Sequence, residues 1–246
     1  MRGHRFVATG LALLLACLPA AAGAADDTTH GGQPVDVALV LAVDVSLSVN
    51  DERYQLQRDG IAAAFENPDL AKAIASGPHG AVSVSVMEFS DPDRQFPVIE
   101  WTRIASAADA QRLAARIRKT RRSSDGLTGI ADALLAAQEL FDESPFAASR
   151  KVVDVSGDGM NNIGTEMTTA RDRLVEAGIT INGLPILSEE PWLETYYTEY
   201  VIGGPDAFVI TAEGLDSFAT AMKRKLVQEL LVSEMRPVAP RATGRG

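Results

Sequence analysis

The sequence predicts an α/β fold built on a mostly parallel sheet. Two observations carry that reading. Short apolar runs rich in valine and isoleucine alternate with segments of helical period between residues 35 and 232, the order of a sheet with right-handed crossovers. The first run, VDVALVLAV (35–43), is nearly all apolar, as a strand buried on both faces requires. No internal repeat and no linker interrupts 35–232, so the segment reads as one domain of a size that folds alone.

After that strand, Asn50 caps a helix with Asp51 and Glu52 in its first turn and Tyr54, Ile61 and Phe65 at helical spacing, and Pro68 starts a second. AVSVSVMEF (81–89) alternates valine with serine, the period of a strand. QFPVIEW (95–101) follows a polar turn and reads as its antiparallel neighbour, with Pro97 suited to an edge. Ser106 and Asp109 form a capping signature before a helix reaching about Arg118. A helix over 128–141 presents Ile130, Leu134, Ala137 and Phe141 on one face. Then come a strand (150–156), a helix (166–177) ended by Gly178, a strand (179–187), a helix (192–200), a last strand AFVIT (207–211) and a closing helix (213–232).

The ends read differently. Residues 1–24 combine a basic start (Arg2, His4, Arg5), an apolar stretch and small residues up to Ala24, the pattern of an export signal cleaved after Ala24. The apolar run is short for a membrane span. A competing reading makes Cys17, in LLAC, a lipidated first residue. Cys17 is the single cysteine, so the expected periplasmic or secreted chain carries no disulfide and relies on its core. Residues 25–34 are a polar leader, and 233–246 a flexible tail ending in RPVAPRATGRG. Removing 1–24 takes away Arg2 and Arg5 and no acid, moving the formal charge from −10 to −12. That balance argues against nucleic acid, which recruits basic surfaces, and suits a protein that binds cations.

In open α/β sheets ligands bind beyond the carboxyl ends of the strands. Asp44, Ser46 and Ser48 follow the first strand, Asp158 follows the strand ending at Ser156, and Thr128 precedes a long helix. Two carboxylates and three hydroxyls are hard oxygen donors, suited to Mg2+, with Mn2+ or Ca2+ as alternatives. So few charges leave a coordination position for a carboxylate from a partner protein. Singly, each residue is an ordinary cap or turn former; only the joint occurrence at three loops favours a metal site.

This pattern, D-x-S-x-S, a lone threonine and an aspartate-glycine, resembles the metal-ion-dependent adhesion site of von Willebrand factor type A (vWA) domains. QRDGIAAAF, VVDVSGDGMNN, ITINGLPIL and YVIGGPDAFV further resemble an uncharacterised family of exported bacterial vWA proteins. The resemblance implies a Rossmann-like fold with one antiparallel edge strand and helices on both faces. It implies direct metal contacts from Ser46 and Ser48, direct or water-mediated contact from Thr128, and water-mediated contacts from Asp44 and Asp158. It also implies that the last helix moves with metal engagement. One departure stands out: Gly157 precedes Asp158 where threonine is commoner. Ser156 and Asn161 are further candidate donors around the ligands, and Asp154 has no assigned role.

Other chemistries fit less well. DVSGDG (154–159) imitates a calcium loop, but its twelfth position is Thr165 instead of glutamate. No G-x-G-x-x-G follows the first strand. Beyond the signal only His30 and His79 are available as bases, neither at a strand end. Trp101, Trp192 and Tyr196–Tyr197 read as core or rim aromatics. The protein is therefore expected to be a non-enzymatic, cation-dependent binding domain. The alternatives are a metal-dependent hydrolase of phosphorylated substrates and a structural domain with an empty site.

Overall fold

A computed structural model describes residues 32–188 and 190–234. The expected export segment with Cys17, the leader as far as residue 31 and the tail from residue 235 lie outside the described residues. The strands are β1 (Gln33–Asp44), β2 (Val82–Phe89), β3 (Gln95–Ile104), β4 (Phe146–Gly157) and β5 (Ile179–Pro185). The helices are α1 (Asp51–Glu66), α2 (Pro68–Ser76), α3 (Ala107–Ile117), α4 (Ile130–Asp142), α5 (Met167–Glu176), α6 (Leu193–Tyr196) and α7 (Leu215–Glu234).

The strands form one sheet in the order β3-β2-β1-β4-β5. β1 runs parallel to both neighbours, β2 and β4, and β4 parallel to β5. β3 is the antiparallel edge; its register against β2 shifts beside Pro97, where a ladder donor is missing. β1 is buried from Val35 onward. It also takes in Gln33 and Pro34, the end of the expected leader, and pairs them with Phe146 and Ala147 of β4. The serines of β2 do not face solvent: Ser83 and Ser85 are buried, and Ser85 donates to the Ile99 carbonyl at 2.9 Å. The helix starts follow local chemistry, with Asn50, Asn67 and Ser106 accepting from backbone N–H groups of the first turns.

The expected last strand is not one. Residues 207–212 run beside β5 but meet it as isolated bridges, Gly183–Val209 and Ile186–Ala212. Gly183 donates to the Phe208 carbonyl and Leu187 to that of Ala212. Between them stands Pro185, which has no N–H to continue the ladder. The expected helix at 192–200 is α6, which widens into a π-helical turn over Tyr197–Val201.

Two apolar layers sandwich the sheet. α1, α2, α3 and α7 pack on one face against Leu39, Leu41 and Val84. α4, α5 and α6 with its π turn pack on the other, against Val40, Val153 and Val155. The chain thus changes face between β1 and β4, which opens a crevice at their carboxyl ends.

Charge as well as apolar surface seats α7. Phe218, Met222, Leu226 and Leu230 are buried, but so are Lys225 and Glu229 between them. Lys225 donates to Asp154 of β4. Glu229 accepts from Arg150 at 2.6 Å and from Asn182 of β5. Asp154, without a role in the sequence reading, is the strand's counter-ion for the helix. Burial pushes the Glu229 carboxyl above its ordinary range, Asp154 adds to this, and Lys225 and Arg150 oppose it. Removing one member of such a pair strands its partner's charge, at about 3–5 kcal/mol. Lys225→Ala or Asp154→Ala is therefore expected to lower unfolding stability by that order in urea titrations. The double replacement Lys225→Met/Asp154→Leu should cost far less, and equal losses in single and double variants would contradict the pairing.

Candidate metal centre

Three loops meet at the carboxyl ends of β1 and β4, and each is held by backbone bonds. In the β1–α1 loop the Ser46 N–H donates to Asp44 Oδ1 at 2.8 Å, an Asx turn that bends the chain as β1 ends. Leu47 N–H donates to the Gly126 carbonyl at 2.8 Å, tying this loop to the segment before α4. Arg122 reaches across and donates to the carbonyls of Val45 and Ser46. Thr128 and Asn162 exchange two bonds, Thr128 N–H to Asn162 Oδ1 and Asn162 N–H to the Thr128 carbonyl, both at 2.9 Å. That exchange joins the α4 loop to the β4–α5 loop.

All five sequence-predicted residues come together. Thr128 Oγ1 donates to Ser46 Oγ at 3.1 Å, Ser46 Oγ lies 3.2 Å from Ser48 Oγ, and Ser48 Oγ donates to Asp158 Oδ1 at 2.6 Å. Arg53 of α1 donates to Asp158 Oδ2 at 3.1 Å and to the Ser48 carbonyl at 3.2 Å. Asp44 lies beneath this arc, fully buried, and its Oδ2 has no hydrogen-bond partner. Burial pushes the Asp44 carboxyl up to about 7; bonds from Ser46 pull it down and the charge of Asp158 pushes it further up. A buried carboxylate oxygen without a partner is costly, and a small cation beside it would remove that cost. Among the described residues no group of three or more His, Cys, Asp or Glu side chains could hold a metal, so a site here depends on hydroxyls.

Gly157 accounts for the departure from threonine. A Cβ at this position would lie 2.8 Å from Asp44 Oδ2, 2.9 Å from Asp44 Cβ and 3.1 Å from Tyr197 Oη. A Cβ on Gly183 would lie 2.6 Å from Tyr197 Cδ1. The two glycines clear a slot for the Tyr197 ring, which is wholly buried with its hydroxyl unpartnered among protein atoms. The hydroxyl occupies the space where a residue-157 side chain would go. Tyr197 starts the π turn, a geometry frequent at functional sites.

Two other candidates stand elsewhere. Asn161 accepts from the Ala131 N–H at 2.9 Å, supplying the cap that Gly129 cannot give α4. Ser156 is buried with its hydroxyl unpartnered. Arg122 and Asn162, the second asparagine of GDGMNN, are not singled out by the sequence, whereas Tyr197, read as a core or rim aromatic, is a buried core aromatic.

The arc opens into a cleft of about 320 Å³ lined by Ser46, Ser48, Thr128 and Asp158. The fold is that of a vWA domain, shared with several solved structures. Proximal thread matrix protein 1 from the mussel byssus aligns at TM-score 0.57 and 21% identity, over 81% of this chain and 47% of that one. The pilus adhesin SpaC from Lactobacillus rhamnosus GG aligns at TM-score 0.58 and 14% identity, over 82% and 31%. The vWF domain of the type V pilus tip protein Mfa5 from Porphyromonas gingivalis aligns at 0.56 and 12%, over 85% and 99%. The chain thus spans about half of the mussel protein and a third of SpaC. No curated protein matches it. The chain belongs to the family described as "Protein of unknown function (DUF1194)", which it matches over residues 34–234.

The folded Asp44 carboxyl keeps its proton to about pH 7, whereas its ordinary value is 3.8. Rising pH through that window therefore favours the unfolded chain, by at most about 1.4 kcal/mol per pH unit. In chelator, wild type should lose urea stability between about pH 4 and 7 relative to Asp44→Asn. Parallel profiles for the two proteins would show that the carboxyl is not desolvated.

Proposed function

We propose that this protein is an exported, cation-dependent protein-binding domain. In this reading residues 1–24 direct export to the periplasm or beyond, and residues 35–232 form the binding domain. Ser46, Ser48 and Thr128 hold Mg2+ by their hydroxyls, and Asp44 and Asp158 hold it by their carboxylates, directly or through water. The observation that carries the proposal is the arc of three hydroxyls ending on Asp158, above a buried Asp44 oxygen without a partner. An all-oxygen donor set favours Mg2+ over softer cations. Bound magnesium would supply an open coordination position for an Asp or Glu side chain of a partner protein.

The company of the fold supports this reading: a byssus matrix protein with a zinc-occupied MIDAS motif in one structure, and two pilus proteins. A hydrolase would need a base beside Asp44. The histidine among the described residues, His79, lies in the turn entering β2, where its N–H donates to Asp36, at the other end of the sheet. The Asp158 carboxylate beside Asp44 is already engaged by Ser48 and Arg53, and Arg53, Arg122 and the hydroxyls hold the loops. The reading is thus of binding without bond-breaking chemistry.

Calorimetric titration with MgCl2, repeated with MnCl2, should show saturable binding. Asp44→Ala and Asp158→Ala should each weaken it more than about tenfold while the far-UV spectrum is kept. Wild type with no heat and no melting shift in either salt would remove the site assignment.

A further inference from the structure

The cleft over the hydroxyl arc has an apolar collar. Eight large hydrophobic side chains are exposed among the described residues, and Leu47, Leu127, Met160 and Trp192 are four of them, at 68%, 47%, 43% and 46% exposure. All four line the same cleft as Ser46, Ser48, Thr128 and Asp158. They come from four separate segments: the β1–α1 loop, the loop before α4, the β4–α5 loop and the turn into α6. Single exposed hydrophobics are ordinary, but their convergence on one concavity marks an interaction site.

The backbone that carries the two leucines is held in place, and so is the indole. Leu47 is tied by its N–H to Gly126 and Leu127 by its N–H to Asp91 Oδ1, each at 2.8 Å. The Trp192 ring N–H donates to Glu190, and the ring meets Tyr196 edge-on at 6.4 Å. Tyr196 Oη in turn accepts from the Asn161 N–H at 3.2 Å. An indole fixed at both its polar and its apolar side loses little freedom on binding, which is what an interface anchor needs.

We infer that the partner's acidic side chain is flanked by bulky apolar residues, which seat on Leu47, Leu127, Met160 and Trp192 while the carboxylate enters the cleft. This rests on the proposed cation-dependent reading and adds the chemistry of the partner to it. The cleft combines the hydroxyl arc, Asp158 and Asn162 with the four apolar side chains, and its Glu190 carboxylate is engaged by the Trp192 ring N–H, so a bare carboxylate satisfies the arc and leaves the apolar side chains uncovered. The opening, of about 320 Å³, is at the small end of ligand cavities. An acidic side chain fills only part of it and leaves the remainder, with the collar, to that side chain's neighbours. Trp192, on the rim, marks an aromatic anchor point of the kind protein interfaces favour.

The test uses two acetylated, amidated pentapeptides with a central glutamate, flanked by leucines in one and by glycines in the other, with decanoate as a third probe. Binding is read at saturating Mg2+ from Trp192 fluorescence in Trp101→Phe, which leaves one of the two tryptophans, and Mg2+ binding is measured separately by calorimetry. The leucine-flanked peptide should bind about tenfold or more tightly than the glycine-flanked one and blue-shift the emission. Leu47→Ser/Leu127→Ser should bring the ratio close to one with Mg2+ affinity unchanged. Equal affinities, or no binding of the leucine-flanked peptide to the Mg2+-loaded protein, would overturn the collar and leave the cation site standing. Decanoate binding more tightly than both peptides would overturn the choice of a peptide partner. Absence of Mg2+ binding would overturn the underlying reading, and this inference with it.

Discussion

One carboxylate out of reach of water organises the carboxyl end of this sheet. Asp44 closes the central strand, paired with Phe89 of β2, and its side chain is fully buried. One oxygen is satisfied by the turn it helps to form, through the Ser46 N–H. The other faces a space kept free of side chain at Gly157. Much of what surrounds it serves to hold groups that can share charge there. Arg122 fixes the loop by its carbonyls, Asn162 couples Thr128 to the next loop, and Arg53 steadies Asp158. A buried carboxyl must be neutralised by a proton or by a cation, and the backbone path places Asp44 where one or the other is required.

Legibility in the sequence followed the range of the interaction. Asp44, Ser46 and Ser48 were readable because strand end, turn and helix cap follow one another within a few residues. Thr128 and Asp158 were readable because α/β topology brings strand-end loops together, whichever residues they carry. Arg122 was not, since its contacts with the site span many residues and it stands in no motif, and Tyr197 was readable as a core aromatic but not as a neighbour of Asp44. Asp154 looked like a strand residue of no assigned role because its partner, Lys225, is 71 positions away. The expected strand at 207–211 failed for a local reason. Its own residues favour pairing, but the neighbour presents Pro185 where a donor is needed.

The site also stands where two kinds of packing meet. The layer of α4, α5 and α6 is closed by apolar contacts, with Tyr197 set into a slot cut by two glycines of the sheet. The opposite layer relies on apolar contacts and on charge, through α7. Gly157 belongs to β4 and lies between Asp44 and the Tyr197 hydroxyl, so the π turn and Asp44 are close neighbours. The collar residue Trp192 lies just before α6, five positions from Tyr197 on the same short element.

The charged seat of α7 has a consequence for how that helix can travel. Lys225 and Glu229 are one helical turn apart, and each meets its own counterpart on the sheet, Asp154 for one and Arg150 with Asn182 for the other. Sliding the helix along its axis by one turn, about 5.4 Å, would carry the lysine toward the arginine and the glutamate beyond both. Every intermediate position leaves two or more charges in the interior without a mate. The helix is therefore indexed like a key with two cut teeth: it sits in one register, and any departure has to be a complete unseating.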